Sequence, residues 1–138
     1  MPTSQSQLPL AKALVIWLVL LCVEFTHGTL RVLFLAPRLG DFLSRQIGVF
    51  TGSLLILLVV YFFAPWLGRP TTRSLLTIGA IWFVLTIGFE LAMGAFLFPV
   101  SRMLEDYDLL HGGLLPLGLV FLLFSPLLAF RLRRRTTS

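Results

Sequence analysis

Charged residues are scarce in this sequence. They make up 12% of the 138 residues, against about a quarter in a typical soluble domain, and 57% of the residues are hydrophobic. The mean hydropathy is +0.95. A water-soluble chain of this length could not bury so much apolar surface, which excludes a soluble enzyme, a nucleic-acid-binding domain and a disordered segment. The sequence therefore predicts one domain that lies in a lipid bilayer.

Cysteine pairs and catalytic motifs are missing as well. Cys22 is the only cysteine, and a single thiol excludes a membrane dithiol oxidoreductase that works alone. The chain contains no HExxH pattern, no serine-nucleophile motif and no glycine-rich phosphate loop. We therefore expect neither enzymatic activity nor a cofactor. The net charge of +5 is typical of membrane anchoring rather than of nucleic-acid binding, because the arginines flank apolar runs.

Long apolar runs separated by charged residues predict four membrane-spanning helices. A helix needs about 20 residues to cross the hydrocarbon core of a bilayer. The helices are expected at about 10–35, 43–66, 73–98 and 111–131, within one membrane domain that covers 1–138 and has short N- and C-terminal tails. The predicted fold class is all-α, an integral membrane four-helix bundle.

Prolines, a glycine and an aspartate suggest where these helices begin, end or bend. Pro37 and Gly40 are expected to break the chain after the first helix, and Asp41 is expected to cap the second. Pro116 and Pro126 fall inside the fourth helix and are expected to break or kink it locally.

Basic residues are divided unequally between the two sides of the predicted bundle. Seven belong to the side that holds both termini and three to the other side. The positive-inside rule then predicts that both termini are cytoplasmic. The seven are Lys12, Arg69, Arg73, Arg131, Arg133, Arg134 and Arg135, and the three are Arg38, Arg45 and Arg102.

Ionisable side chains within the predicted helices define a candidate site. The first and third helices run in the same direction, so their glutamates are expected at similar depth in the outer half of the bilayer. In the first helix, spacings of three, four and seven residues place the polar side chains on one face. Arginine and histidine residues begin the second and fourth helices on that same side. The candidate ligand- or ion-binding residues are Glu24, His27, Arg31, Arg45, Glu90 and His111.

Two hypotheses fit this cluster. In the first, Glu24 and Glu90 pair with Arg31 and Arg45, the cluster is structural, and the protein is a non-catalytic component that supports another membrane protein. In the second, Glu24 and Glu90 act in a small proton- or cation-coupled transporter or a ligand-binding membrane protein. The histidines do not have the spacing of metal ligands, so no metal is expected.

A pair of glycines predicts close packing of the second helix. Gly48 and Gly52 form a GxxxG pattern, which lets another backbone approach a membrane helix closely. The approaching helix could belong to the same chain, to a second copy or to another membrane subunit. The lipid bilayer is the other expected partner, and no nucleic acid is expected.

Three motifs resemble those of a group of short bacterial membrane proteins. They are Glu24-x-x-x-Gly28-x-x-Arg31, Trp82-x-x-x-Thr86-x-x-Phe89-Glu90 and Gly112-Gly113-x-x-Pro116-Leu117. The order of these features is similar to that of uncharacterised four-helix proteins of the bacterial inner membrane. The resemblance implies a multi-pass protein in that membrane, and it implies no activity or ligand because none is known for the group.

Overall fold

Four long helices make up this structure, a computed structural model that describes residues 9–97, 108 and 114–137. Each is long and apolar enough to cross a membrane. The predicted all-α four-helix fold is thereby confirmed. The helices are the first, Leu10–Leu39; the second, Asp41–Leu67; the third, Thr72–Leu97; and the fourth, Leu115–Thr137.

The outward-facing side chains of these helices are largely apolar. In the most apolar stretch of each helix, only 17% to 28% of the residues are buried within the chain. Phe50, Phe62 and Val84 are among the large apolar residues that remain exposed. Exposed apolar surface on this scale is unfavourable in water and favourable in lipid. These helices fit a multi-pass membrane protein.

One end of the bundle, here called the basic end, holds the start of the first and third helices and the close of the second and fourth. Two contacts tie its basic side chains to backbone carbonyls: Lys12 Nζ donates to Trp66 O at 3.1 Å, and Arg133 Nη1 donates to Tyr61 O at 2.9 Å. Each cation also lies over the ring of that same aromatic residue. The bundle's buried apolar core lies mainly toward this end, and it includes Ala13, Ile16, Val60, Ile78, Trp82 and Ala129.

Two tryptophans fix the first and third helices in a parallel register. Trp82 Nε1 donates a buried hydrogen bond to Ala13 O at 2.9 Å, and Trp17 Nε1 donates to Thr86 Oγ1 at 3.1 Å. Both bonds join residues that are 69 positions apart. These bonds hold Ala13 and Trp17 of the first helix beside Trp82 and Thr86 of the third.

The fourth helix is continuous through Pro126, so the expected break does not occur. Proline has no N–H, which leaves the carbonyl four residues earlier, that of Leu122, without its helical donor. The buried Ser125 hydroxyl donates to this carbonyl at 2.7 Å and replaces the missing bond. Beside this turn, Gly79 packs directly against the backbone of Leu123, with no room for a side chain. Pro116 lies in the first turn, where the missing N–H costs nothing.

The first helix passes through Pro37 and ends at Gly40, which contradicts the break expected at the proline. Before the proline, Arg31–Leu35 forms a π-helical turn in which the N–H of Ala36 donates to Arg31 O, five residues back. The wider turn accommodates a residue that lacks a donor and whose ring would crowd an α-helical carbonyl. Gly40 then ends the helix with a positive φ of 89°, a conformation that favours glycine.

Candidate functional site

A cavity of about 340 Å³ lies between the four helices, toward the end opposite the basic end. Five of the six predicted site residues line it, so the structure brings together Glu24, His27, Arg31, Arg45 and Glu90. The sixth, His111, lies outside the described residues. Further polar lining comes from Gln46, Ser53 and Thr86, and the apolar lining includes Trp17, Phe25, Phe42 and Phe89.

Glu24 points into this cavity from the middle of the first helix. Its Oε2 lies 3.8 Å from Nδ1 of His27, one helical turn later. Its Oε1 is buried and has no hydrogen-bond partner among the described residues. The opposite ring nitrogen of His27, Nε2, shares a hydrogen bond of 2.7 Å with Thr51 Oγ1 of the second helix. His27 is thus held in place by Thr51, while one oxygen of Glu24 is left unsatisfied.

Glu90 faces the same cavity at nearly the same depth as Glu24. The same offset of 69 residues places Glu90 roughly level with Leu21, which lies about one helical turn before Glu24. Both carboxylates belong to the lining of this one cavity. The sequence predicted that these glutamates lie at similar depth. In the structure, the first and third helices are joined by the tryptophan hydrogen bonds and are rotated so that both glutamates face one cavity.

Asp41 joins the two arginines that line the cavity. Its Oδ2 lies 3.2 Å from Arg45 Nε and its Oδ1 lies 4.0 Å from Arg31 Nη1. Arg31 Nη1 also donates to the buried Ser44 Oγ at 3.0 Å. The predicted capping position of Asp41 is wrong, because Gly40 is the N-cap and Asp41 is the first residue of the helix. Its carboxylate contacts these guanidinium groups. This group, the Arg31–Asp41–Arg45 tie, fastens the first helix to the start of the second.

Gly48 and Gly52 contact side chains of the same chain. A Cβ at Gly48 would lie 2.8 Å from Arg31 Cδ, and a Cβ at Gly52 would lie 2.7 Å from Glu24 Oε2. The GxxxG pattern therefore makes room for two charged side chains of the first helix rather than for a helix backbone. Association with a second subunit through these glycines, and a supporting role for another membrane component, stay predictions.

Several residues of the site were not singled out from the sequence. Trp17 lies two turns before Glu24, and this seven-residue spacing indicates that the two side chains share one face of the helix. Ser44 follows Asp41 by three residues, which likewise placed both on one face of the second helix. No sequence signal identified Thr51, since threonine is common in membrane helices and its role depends on the rotation of the first helix.

The cavity thus combines an apolar lining with carboxylates from two helices and a separate arginine–aspartate tie. Such a site can bind a small molecule or ion through few directional contacts. No protein-family model, no curated protein and no solved structure matches this chain.

Proposed function

We propose that this chain is a non-catalytic, multi-pass membrane protein that binds a small ligand inside its helix bundle through Glu24 and Glu90. The observation that carries the proposal is Glu24 Oε1, a buried oxygen beside a cavity of about 340 Å³ that accepts no hydrogen bond from a described residue. A buried carboxylate oxygen costs free energy unless a donor or a cation meets it. A ligand in the cavity supplies that partner.

The division of the polar residues supports a binding role for the glutamates. The Arg31–Asp41–Arg45 tie holds two helices together without using Glu24. Glu24 instead lies beside His27, at 3.8 Å. A purely structural role for the whole cluster leaves the unsatisfied oxygen of Glu24 without explanation.

The size and lining of the cavity also favour ligand binding. Small-molecule sites in proteins occupy roughly 300–1,000 Å³ and combine apolar walls with a few polar groups. The volume of about 340 Å³ falls at the lower end of this range, which suits a ligand of modest size. All four helices contribute to the lining, so a bound ligand would contact every part of the bundle.

We further propose that the protein lies in the bacterial inner membrane with both termini in the cytoplasm. The support is the collection of seven basic residues at the basic end, where negatively charged cytoplasmic lipid headgroups attract them. The cavity then lies toward the outer face of the membrane.

Thiol labelling tests whether the cavity admits water-soluble molecules. The single cysteine, Cys22, does not line the cavity, so Cys22→Ala provides a cysteine-free background. In that background we expect Ser53→Cys, within the cavity, to react with the cationic reagent 2-(trimethylammonium)ethyl methanethiosulfonate. The matched control is Val84→Cys, on the outward face of the third helix with 67% of its surface exposed, which lipid or detergent should protect.

The proposal fails if Ser53→Cys reacts no faster than Val84→Cys in membranes, because the cavity would then be closed to aqueous ligands. Circular dichroism of both purified variants verifies that each remains helical. The same labelling is repeated after denaturation, where both thiols should react fully.

A further inference from the structure

We infer that the ligand is a small organic cation that carries an aromatic or similarly apolar body. This inference rests on the proposed ligand-binding function and names the chemistry that the cavity selects. Three observations support it: the balance of charges in the site, the small number of side chains near Glu24 that could coordinate a metal, and the aromatic residues that line the cavity.

The positive charges of the cavity have partners within the chain. Arg31 contacts Ser44 and Asp41, and Arg45 contacts Asp41 and lies 5.8 Å from the ring centre of Phe42. Each guanidinium group therefore has a partner within the chain, and both share the single carboxylate of Asp41. Glu24 Oε1 is buried without a hydrogen-bond partner among the described residues, and Glu90 lines the same cavity. Together with Asp41, the site then has three carboxylates against two guanidinium groups. Charge complementarity therefore favours a positively charged ligand over an anion.

The side chains around Glu24 that could coordinate a cation suit an organic cation better than a bare metal ion. Among the residues that the structure describes, no three histidine, cysteine, aspartate or glutamate side chains lie close enough together to hold a metal. Zinc-type metal sites in proteins combine three or four such ligands. An ammonium group needs only carboxylate contacts and aromatic faces.

Aromatic side chains line the same cavity as the carboxylate. Trp17 precedes Glu24 by seven residues, or about 10 Å along the helix, and its indole is held by the bond to Thr86. Phe89 lines the cavity next to Glu90. A ligand with its cationic group at Glu24 can therefore place a ring toward Trp17 without leaving the cavity.

A panel of three related ions tests the inference by isothermal titration calorimetry on the detergent-purified full chain. Benzyltrimethylammonium carries both the cationic group and the ring. Tetramethylammonium lacks the ring, and benzylsulfonate keeps the ring but reverses the charge. We expect benzyltrimethylammonium to bind at least about tenfold more tightly than either of the others, because each lacks one of the two recognised features.

Two variants connect binding to the glutamate. Glu24→Gln removes the negative charge with little change of shape and should weaken benzyltrimethylammonium binding by about tenfold or more. Arg73→Gln removes a charge at an exposed residue of the basic end, opposite the cavity that it does not line, and it should leave the affinity within about twofold, since a distant exposed charge is largely screened.

The outcomes separate this inference from the proposed function. Preferred binding of benzylsulfonate overturns the organic-cation inference, while a ligand-binding cavity remains. Unchanged benzyltrimethylammonium binding in Glu24→Gln overturns both the inference and the proposed role of Glu24 in ligand binding. If none of the three ions binds although Ser53→Cys is labelled from water, the inference also fails and an accessible cavity remains. If no ion binds and Ser53→Cys is also unreactive, both the inference and the proposed function are wrong.

Discussion

The carboxylate of Glu24 lies against Gly52, so close that a Cβ on the glycine would come within 2.7 Å of Glu24 Oε2. A buried glutamate and a glycine on the facing helix therefore form one structural unit. The glycine leaves the space, and the glutamate fills only part of it. The remaining space belongs to the cavity that we propose as the ligand site.

Replacing Gly52 with alanine should affect the site more than the fold. The new methyl group meets the end of a flexible side chain, which can turn aside, so we expect Gly52→Ala to change the free energy of unfolding by less than about 1 kcal/mol. Its displacement of Glu24 should reduce benzyltrimethylammonium affinity. The measurements are thermal unfolding in detergent and calorimetric titration.

Gly79→Ala is the matched comparison, with the opposite expectation. There the methyl group meets the backbone of Leu123, which cannot turn aside. We expect a loss of about 2–4 kcal/mol or failure to fold, as for other overpacked interiors. Equal thermal unfolding midpoints for the two variants would contradict the close approach of the third and fourth helices.

Neutralising Glu24 should leave the protein as stable as before, or more stable. Glu24→Gln removes a charge whose Oε1 has no hydrogen-bond partner among the described residues, so no tie between helices is lost. Asp41→Asn should instead lower the unfolding free energy by about 1 kcal/mol, because Asp41 contacts two arginines but is half exposed. Thermal unfolding of the two variants, with wild type alongside, makes the comparison. A larger loss in Glu24→Gln than in Asp41→Asn would favour the structural hypothesis.

Ser125 should matter only while Pro126 is present. Ser125→Ala removes the donor to Leu122 O and should cost about 1 kcal/mol. Pro126→Ala restores an N–H that can bond the same carbonyl, so adding Ser125→Ala to it should cost little. A double-mutant cycle measured by thermal unfolding therefore should give a coupling energy close to the cost of the single change. Additive effects would show that the hydroxyl does not replace the proline's missing bond.

Fusions to the C-terminus should report a cytoplasmic location. The basic end carries the four arginines Arg131, Arg133, Arg134 and Arg135, so we expect a C-terminal fluorescent-protein fusion to fluoresce in bacterial cells and an alkaline phosphatase fusion to be inactive. Moving the reporters into the segment between the third and fourth helices should reverse both results. Phosphatase activity at the C-terminus would overturn the proposed orientation.

The fold class could be predicted from the sequence because lipid imposes a simple requirement of length and apolarity on each helix. Whether a proline breaks its helix could not be predicted, because this depends on whether neighbouring groups replace the missing hydrogen bond. Ser125 supplies such a substitute in the fourth helix, and a π-helical turn precedes Pro37 in the first. A single sequence shows the proline but not how its neighbours respond.

The members of the site were more predictable than their pairing. Spacing placed Glu24, His27 and Arg31 on one face, and helix direction placed Glu90 at a similar depth. The choice of partner depends on how each helix is rotated, which spacing alone does not fix. Asp41, expected to cap a helix, turned toward the arginines because the chain reverses at Gly40 and brings the two helix ends together.

The π-helical turn at Arg31–Leu35 divides the first helix into two segments. The helix is continuous, but the side chains of the two segments do not follow one common helical periodicity. A π turn contains one residue more than an α turn, so every side chain beyond it is rotated by about 100° from the position that an uninterrupted α-helix would give it. Deleting one residue of this turn would bring the last turn, Ala36–Leu39, back into phase with the cavity-facing stripe. Because of the extra residue, the orientation of the charged face before the π turn is independent of the orientation of the last turn, which connects to the second helix.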